Sequence, residues 1–422
     1  MIGAREAALL SLNDILYGGK YSNIAVNEML NKCHAMDRKD KALYTSIVYG
    51  VLVHYYTLEY IISMYSSVKV KKLARYVKIL LLTGLYQIKY LDKVPGSAAV
   101  NESVKLSKRY CKKGSDRFIN AVLRRAIDEG CDVAMPDDEI ERICVEYSYS
   151  YDMAKAFCDV FGVERAKKVM ASLNMPPQTL LRANTLKTDS KALLAMLTQA
   201  GIDAKPENDM IAVKGYDVGN SNLYRDGLFT VQDKGAYTAS VVLDPQNGET
   251  VIDMCAAPGG KTTHIAELMG DSGRIVAFDI HEHKIRLIEN TAKRLGIKTI
   301  EAKVADATVY NPLYKESADR VLCDVPCSGW GIIRRKPDIK LSHTDLESLY
   351  ETQKSILSNG AEYVKKGGCL VYSTCTVNRR ENEETIKEFL ENNKEFIKTY
   401  EKTFYPDTDN SDGFFICRLE RK

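Results

Sequence analysis

The stretch Glu249-Thr-Val-Ile-Asp-Met-Cys-Ala-Ala-Pro-Gly-Gly-Lys261 joins an apolar run to a turn made of small residues. The residues that follow, 261–269, have a helical pattern, so this stretch predicts a strand, a tight turn and a helix. The same alternation of strand and helix continues along the chain beyond it. Such alternation indicates βαβ units, and we therefore predict an α/β domain with a doubly wound parallel sheet.

The rest of the C-terminal part repeats this pattern. Helices are predicted at HKIRLIENTAKRLG and over the long run TDLESLYETQKSILSNGAEYVKKGG. Strands are predicted at RIVAFDI, TIEAKVAD, DRVLCDVP, CLVYSTC and GFFICRLE. The whole α/β domain is expected to cover residues 236–422.

Two further domains are predicted before it. Residues 1–135 have apolar positions at i, i+3, i+4 and i+7, which predicts an all-α domain. Residues 136–235 contain two short helical pieces, the strand-like runs TLLRANTLKT, MIAVKGYDV and LFTVQD, and a helix over 190–200. They predict a small α+β segment between the two larger domains.

Composition narrows the class of protein. The chain has 422 residues, of which 45% are hydrophobic and 27% charged, as in ordinary globular proteins. It contains no apolar run of about 18 residues and no signal-peptide pattern, so we expect a cytoplasmic location and no membrane partner. The 11 cysteines are scattered and form no C-x-x-C pair. This pattern argues against both a disulfide framework and a structural zinc site.

Charge is distributed unevenly. Residues 1–130 hold 21 Lys and Arg against 11 Asp and Glu, although the whole chain has a net charge of only +3. Basic residues concentrate at Lys69, Lys71, Lys72, Arg75 and Lys78, with Tyr76 among them. A polyanion such as nucleic acid is one explanation for this pattern, and a solvated helical surface is the other.

A first candidate site lies where the predicted strands end. In open α/β sheets, ligands bind beyond the carboxyl ends of the strands, and small residues let a ligand approach the backbone closely. The second, third and fourth strands each end in an acid, and such acids favour a nucleoside cofactor, whose ribose hydroxyls they can bind. The predicted cofactor-binding residues are Cys255, Ala256, Ala257, Pro258, Gly259, Gly260, Lys261, Asp279, Asp306 and Asp324. Metal binding by His281 and His283 is not favoured, because residues i and i+2 of a helix do not share a face.

A second candidate site combines two thiols. The fourth strand runs into Asp324-Val-Pro-Cys-Ser-Gly and the fifth into Ser373-Thr-Cys-Thr, so Cys327 and Cys375 face one crevice if the two strands are adjacent. Two thiols and an acid suit methylation of a pyrimidine at carbon 5, in which one thiolate adds to carbon 6 and a second group removes the carbon 5 proton. Lys261 and the run from Arg334 to Lys336 are candidates for the positive environment of the thiolate. The residues alone leave open which cysteine attacks.

These motifs resemble those of the RNA 5-methylcytosine methyltransferases that use S-adenosylmethionine. The match lies in DMCAAPGGKT (253–262), DVPCSGWG with IRRKPDIK (324–340), YSTCTVNRRENEE (372–384) and DGFFICRL (412–419). Residues AAVNESVKLSKRY and FINAVLRR are similar to the antitermination factor NusB. The resemblance implies an RNA-recognition-like fold for the middle segment and a Rossmann-like catalytic domain.

The resemblance also implies roles. It makes S-adenosyl-L-methionine the cofactor, Cys375 the nucleophile, Cys327 the group that assists release, and Asp324 a residue near the target base. Small-subunit (16S) ribosomal RNA is the implied substrate, and we expect a monomer without metal. Transfer RNA is an alternative substrate, and a non-catalytic RNA-binding assembly factor is an alternative function.

Overall fold

The computed structural model describes residues 2–342 and 344–422, which divide into two compact units. The first unit comprises residues 1–175 together with 333–343. The second comprises residues 176–332 together with 344–422.

The first unit is built from ten helices in the part of the chain that the structure describes. Their bounds are α1 (Ala4–Gly18), α2 (Ser22–Lys32), α3 (Arg38–Val53), α4 (Tyr55–Tyr65), α5 (Arg75–Tyr90), α6 (Gly96–Tyr110), α7 (Ser115–Asp128), α8 (Glu139–Tyr147), α9 (Tyr151–Phe161) and α10 (Val163–Asn174). One apolar core joins α1, α3, α4, α5 and α7, and Leu9, Ile47 and Leu81 are completely buried in it. The predicted all-α character of this region is confirmed. Residues 137–174 form three helices rather than the two short pieces that the sequence indicated.

A lysine from a distant part of the sequence is buried in this unit. Residues Pro337–Leu341 form a short 3-10 turn, and the Lys340 ammonium donates hydrogen bonds to the carbonyls of Val53 and Ser148, both at 2.9 Å. It also donates to Asn174 Oδ1 at 2.6 Å. Burial lowers the pKa of Lys340 well below its ordinary value, whereas three acceptors favour the ammonium form. The segment 333–343 is thus held as part of the helical unit.

The second unit begins with a small antiparallel sheet of order β2-β3-β1-β4. Its elements are β1 (Thr179–Ala183), α11 (Ser190–Gln199), β2 (Asp203–Glu207), β3 (Met210–Lys214), α12 (Asn222–Arg225) and β4 (Phe229–Val231). Helix α11 packs Leu193 and Leu197 against the sheet. The strand β2 is missing from the sequence-based prediction because its residues, DAKPE, are polar and mostly exposed at the sheet edge.

A seven-stranded sheet forms the rest of this unit. Its elements are α13 (Lys234–Leu243), β5 (Thr250–Asp253), α14 (Gly260–Leu268), β6 (Arg274–Asp279), α15 (Glu282–Leu295), β7 (Ile300–Val304), β8 (Ala318–Asp324), α16 (Leu346–Tyr363), β9 (Val364–Thr374), α17 (Thr385–Asn392), β10 (Phe396–Phe404) and β11 (Phe414–Arg421). The strand order is β10-β11-β9-β8-β5-β6-β7, with β9 to β7 parallel and β11 antiparallel to both of its neighbours. The predicted doubly wound α/β fold is confirmed.

The topology of this sheet selects the place of a ligand site. Strand order runs outward from the β8–β5 pair, so connections leave this point in opposite directions. Ligands of doubly wound sheets bind at such a switch point, beyond the carboxyl ends of the strands. Both β5 and β8 end there in buried or partly buried aspartates, Asp253 and Asp324.

Among the described residues, no single helix has the length and apolar character needed to cross a membrane, although the bent pair α3 and α4 meets that test of length and composition when taken together.

Candidate active site

The turn after β5 is shaped to bring backbone close to a ligand. Gly259 has φ of +100°, a conformation that side chains rarely adopt, and a Cβ there would lie 3.2 Å from the Cα of Ile288. Gly260 begins α14, and a Cβ on it would meet no atom within 4 Å. The predicted turn Cys255–Lys261 therefore joins a tight bend to an open helix N-terminus, which offers free N–H groups.

Two of the predicted acids lie at the ends of the outer parallel strands. Asp279 ends β6, is 8% exposed and accepts a hydrogen bond from the backbone N–H of His281 at 3.0 Å. Asp306 follows β7 and accepts bonds from the N–H and hydroxyl of Thr308 at 2.9 and 2.6 Å. Local bonds therefore orient both carboxylates at the carboxyl edge of the sheet.

Asp253 is a buried acid to which the sequence reasoning assigned no role. Thr262 Oγ1 donates a hydrogen bond to Asp253 Oδ2 at 2.7 Å, which ties the end of β5 to the first turn of α14. Burial, opposed by the hydrogen bond from Thr262, raises the pKa of Asp253 to about 7. Its position inside the quoted turn motif was visible in the sequence, but its burial was not.

Asp324 at the end of β8 is held by two donors. Lys261 Nζ lies 2.7 Å from Asp324 Oδ2, and Ser373 Oγ donates to Asp324 Oδ1 at 2.8 Å. Burial disfavours the charge on Lys261, but Asp324 outweighs it and the pKa of Lys261 is raised overall. The lysine from the cofactor turn and the acid from β8 are thus one ion pair.

The two predicted cysteines come together. Strands β8 and β9 are parallel neighbours with Asp324 opposite Ser373, which confirms the adjacency that the prediction required. Cys327 Sγ and Cys375 Sγ lie 3.1 Å apart, and the Cys375 N–H donates to Cys327 Sγ at 3.3 Å. The hydrogen bond to Cys375 and burial raise the pKa of Cys327 well above its ordinary value. Both thiols are partly accessible.

The other cysteines are distinct from this pair. Cys369 is 1% exposed and lies in the core beside β11. Burial raises the pKa of Cys255 well above its ordinary value, so its thiol stays neutral. All 11 cysteines are free, and the described residues contain no cluster of three or more His, Cys, Asp or Glu side chains suited to a metal ion.

Of the positive residues considered for the thiolate environment, Lys261 lies in the same unit as the thiols. Its pKa is raised in part by the negative charge of Cys375. Arg334, Arg335 and Lys336 belong to the helical unit.

The sequence reasoning missed an arginine that braces the cofactor turn. Arg182 of β1 is buried and pairs with the buried carboxylate of Glu267 in α14, with an Nη2–Oε1 distance of 2.8 Å. Its Nη1 also donates to the carbonyl of Gly260 at 2.9 Å and to Gln232. The sequence signal was an arginine inside an apolar, strand-like run, which indicates a buried charge that needs a partner. The neighbouring residues did not indicate which groups those partners are.

Comparison with known proteins assigns the chain to a class of enzyme. Residues 240–420 match the family model described as 16S rRNA methyltransferase RsmB/F, and residues 3–128 match the NusB family. Residues 153–213 match the ferredoxin-like domain of RsmF/B-like methyltransferases. The parallel sheet and the matched models define a multidomain methyltransferase with a NusB-like helical part.

Full-length relatives narrow the class to one family. The chain is 35% identical to the probable ribosomal RNA small subunit methyltransferase B of Bacillus subtilis, over 99% of this chain and 98% of the relative. It is also 35% identical to the probable protein of that name from Synechocystis, over 100% of both chains. The chain therefore belongs to the ribosomal RNA small subunit methyltransferase B family, and the predicted resemblance is confirmed.

Solved structures agree with this assignment. The crystal structure of PH0851 aligns with a TM-score of 0.85 and 26% identity, covering 100% of this chain and 98% of that one. A methyltransferase homolog protein from Pyrococcus horikoshii aligns with a TM-score of 0.61 and 28% identity, over 68% of this chain and 100% of that chain.

Proposed function

We propose that this enzyme transfers a methyl group from S-adenosyl-L-methionine to carbon 5 of a cytosine in small-subunit ribosomal RNA, through a covalent adduct between Cys375 and carbon 6. The observation that carries the proposal is the thiol pair, with 3.1 Å between the Cys327 and Cys375 sulfurs, next to the Lys261–Asp324 ion pair. The curated relatives, named as small-subunit ribosomal RNA methyltransferases, support the choice of substrate.

The residues at the strand ends fit the cofactor. A Cβ at Gly259 would crowd Ile288, and the space over Gly260 is open, so the turn Cys255–Lys261 can lie along the amino-acid part of the ligand. We propose that Asp279 binds the ribose hydroxyls, with Asp306 and Asp324 completing the binding site. When bound, the cofactor supplies an electrophilic methyl group.

The proposed chemistry begins at Cys375. Its thiolate forms a bond to carbon 6 of the cytosine, and the electron pair of the 5,6 double bond makes carbon 5 nucleophilic. Asp324, held by Lys261 and Ser373, binds the N3 and amine edge of the base and stabilises the shift of charge. The target base must leave any stack to reach this crevice.

Cys327 completes the cycle in this proposal. While Cys375 is a free thiolate, the hydrogen bond between the two sulfurs keeps the proton on Cys327. Once Cys375 is bonded to carbon 6 it carries no charge, and this cause of the raised pKa of Cys327 disappears. Cys327 can then lose its proton to solvent and, as the thiolate, take the proton from the methylated carbon 5. The carbon–hydrogen electron pair forms the 5,6 double bond, and the carbon–sulfur pair leaves with Cys375 as its thiolate.

We further propose that residues 1–135 bind RNA, residues 136–235 link and support the cofactor turn, and residues 236–422 catalyse the reaction. The enzyme is proposed to act as a monomer. The basic residues of the N-terminal part support the first of these roles.

The test uses the purified full chain, labelled S-adenosyl-L-methionine and unmodified small-subunit ribosomal RNA. We expect label in 5-methylcytosine after digestion to nucleosides, and none with Cys375→Ala. Transfer RNA is incubated in parallel. If transfer RNA alone is labelled, the substrate is transfer RNA and not ribosomal RNA. If the protein binds the ribosomal RNA without any methyl transfer, the proposed enzymatic function fails, and a role as an RNA-binding assembly factor is favoured.

A further inference from the structure

Glu381 is a completely buried side chain just beyond the thiol site, in the π turn Arg380–Glu384. Its Oε2 accepts hydrogen bonds from the Ser328 N–H at 2.8 Å and from Gln353 Nε2 at 2.9 Å. Its Oε1 accepts from the Ser328 hydroxyl and from Asn378 Nδ2, the latter at 3.0 Å. Three of the four donors are N–H groups, which cannot exchange roles with the carboxyl oxygens and so fix the orientation of the side chain.

The donors come from both cysteine loops. Ser328 follows Cys327, and Asn378 lies three residues after Cys375. The Ser328 hydroxyl also lies 2.8 Å from Thr376 Oγ1, which adds a direct bond between the loops. Gln353 of α16 donates to the Pro326 carbonyl at 2.9 Å as well as to Glu381. One carboxylate therefore ties together the backbone on either side of the sulfur pair.

The charge of Glu381 also acts on Cys327. The pKa of Cys327 is raised by its hydrogen bond to Cys375, by burial, by the Cys375 charge and by Glu381. Lys261, in contrast, interacts with the negative charge of Cys375. Among the charged or titratable groups of the described residues, Lys261 interacts with Asp324 and Cys375, and Tyr372 and Glu381 interact with Cys327.

We propose that Glu381 is a positioning residue for methyl transfer, which fixes the two cysteine loops against each other and places its negative charge beside Cys327. The proposal rests on the proposed function, in which Cys375 attacks and Cys327 acts second. Glu381 touches neither sulfur in this role, and its effect passes through Ser328 and Asn378.

Glu381→Gln tests the proposal with an almost identical shape. The amide nitrogen would face two donors, and the negative charge would be lost. We expect methyl transfer to fall about 100-fold in kcat with little change in the KM for S-adenosyl-L-methionine, because loops misplaced by about 1 Å lose the attack geometry. The matched control is Glu384→Gln on the same turn, where Glu384 is exposed and activity should be unchanged.

A second readout does not depend on RNA. The iodoacetamide alkylation rates of Cys327 and Cys375 are measured by peptide mass spectrometry at fixed pH values from about 6 to about 10. In Glu381→Gln the alkylation rate of Cys327 at the upper end of this range should rise, because removal of a nearby negative charge favours its thiolate. Glu381→Asp keeps the charge, so it should keep alkylation rates near those of the wild type while losing methyl transfer.

The outcomes separate the two proposals. If the wild-type enzyme forms no cytosine adduct, the proposed function fails, and the alkylation profiles still decide whether Glu381 sets the thiol pair. If Glu381→Gln does not fold, Glu381→Asp supplies the activity test. Wild-type alkylation profiles and wild-type kcat in the folded variants would overturn the role of Glu381.

Discussion

At the residue scale, the thiol pair is asymmetric although both partners are cysteines. Cys327 is bonded to Cys375, and its pKa is raised by that bond, by burial and by nearby negative charge. Lys261 couples to Cys375 and also holds Asp324. The family resemblance implies Cys375 as the nucleophile, and Lys261 is a cation that interacts with it.

The two cysteines are predicted to give opposite phenotypes. Cys375→Ala should abolish the covalent RNA adduct, because no sulfur remains to attack carbon 6. Cys327→Ala should let the adduct form and then accumulate, because proton removal from carbon 5 is impaired. Denaturing gel electrophoresis of protein with labelled RNA measures both results. Cys369→Ala is the control, because that thiol is buried in the core. If Cys375→Ala trapped the adduct instead, Cys327 would be the nucleophile and Cys375 the residue that assists release.

At the element scale, β1 and α14 are joined by the buried Arg182–Glu267 pair. Truncating one partner of a buried ion pair leaves the other charge without compensation, which typically costs about 3–5 kcal/mol. The same arginine holds the Gly260 carbonyl, so its loss should also disturb the first turn of α14.

Arg182→Met is therefore expected to destabilise the second unit by about 3–5 kcal/mol and to weaken cofactor binding. Thermal unfolding and titration with S-adenosyl-L-methionine measure the two effects. Arg274→Met is the matched control, because the Arg274–Glu301 pair is half exposed and such pairs are worth at most about 1 kcal/mol. The double variant Arg182→Met, Glu267→Leu should regain stability without regaining affinity. Equal losses in Arg182→Met and Arg274→Met would contradict this account.

The junction of α3 and α4 contains a partly buried histidine. His54 stacks on Tyr90 with 4.0 Å between ring centroids, and burial, Lys340 and Lys89 lower its pKa to about 4. A protonated His54 is thus disfavoured in the folded unit. An unperturbed histidine, as in the unfolded chain, has a pKa of about 6.5. The stability that neutral His54 contributes is therefore fully present above about pH 6.5 and is lost as the pH falls towards 4.

We expect the free energy of opening of α4 and α5 to fall by up to about 3 kcal/mol between pH 6.5 and 4. Amide hydrogen exchange, corrected for the pH dependence of the intrinsic exchange rates, measures this free energy of opening. His54→Phe keeps the stacked ring and should flatten this dependence, whereas His34→Gln at an exposed position should leave it unchanged. A slope that survives in His54→Phe would assign the effect to another group.

At the scale of the whole molecule, the basic N-terminal part is divided into paired and exposed cations. Lys69, Lys71, Lys72 and Arg75 are exposed. Lys78, which the sequence reasoning grouped with them, instead pairs with Glu59 and donates to the Tyr55 hydroxyl at 2.6 Å. The surface available for phosphate contact is therefore smaller than the sequence count indicates.

Substituting Lys69, Lys71 and Lys72 together by alanine is expected to weaken binding of ribosomal RNA and to flatten its salt dependence. Each lost phosphate contact lowers the slope of log K against log salt by about 0.7 to 0.9. Lys298, Lys387 and Lys394, exposed in the second unit, form the control triple. Point substitutions are preferred to a deletion of residues 1–130, because Ile333–His343 belongs to the same compact unit and would lose its packing partners. An unchanged slope would leave the N-terminal part without an RNA-binding role.

The sequence by itself determined the helical N-terminal part, the α/β sheet and the two loops that carry the thiols. Each of these follows from a local pattern, because apolar spacing reports the period of an element and small residues report a tight turn. The edge strand β10, FIKTYEKTF, was missed because its mostly exposed residues lack a buried stripe.

Only the tertiary structure decided which distant residues are paired within each unit. Arg182 meets Glu267 across 85 positions, Ser328 meets Glu381 across 53, and Lys340 meets Val53 across 287. Each is a polar side chain whose burial depends on finding all of its partners, and no local period encodes those partners. The sequence thus identified the groups proposed to react, and the packing of the chain determined which buried polar contacts hold them in place.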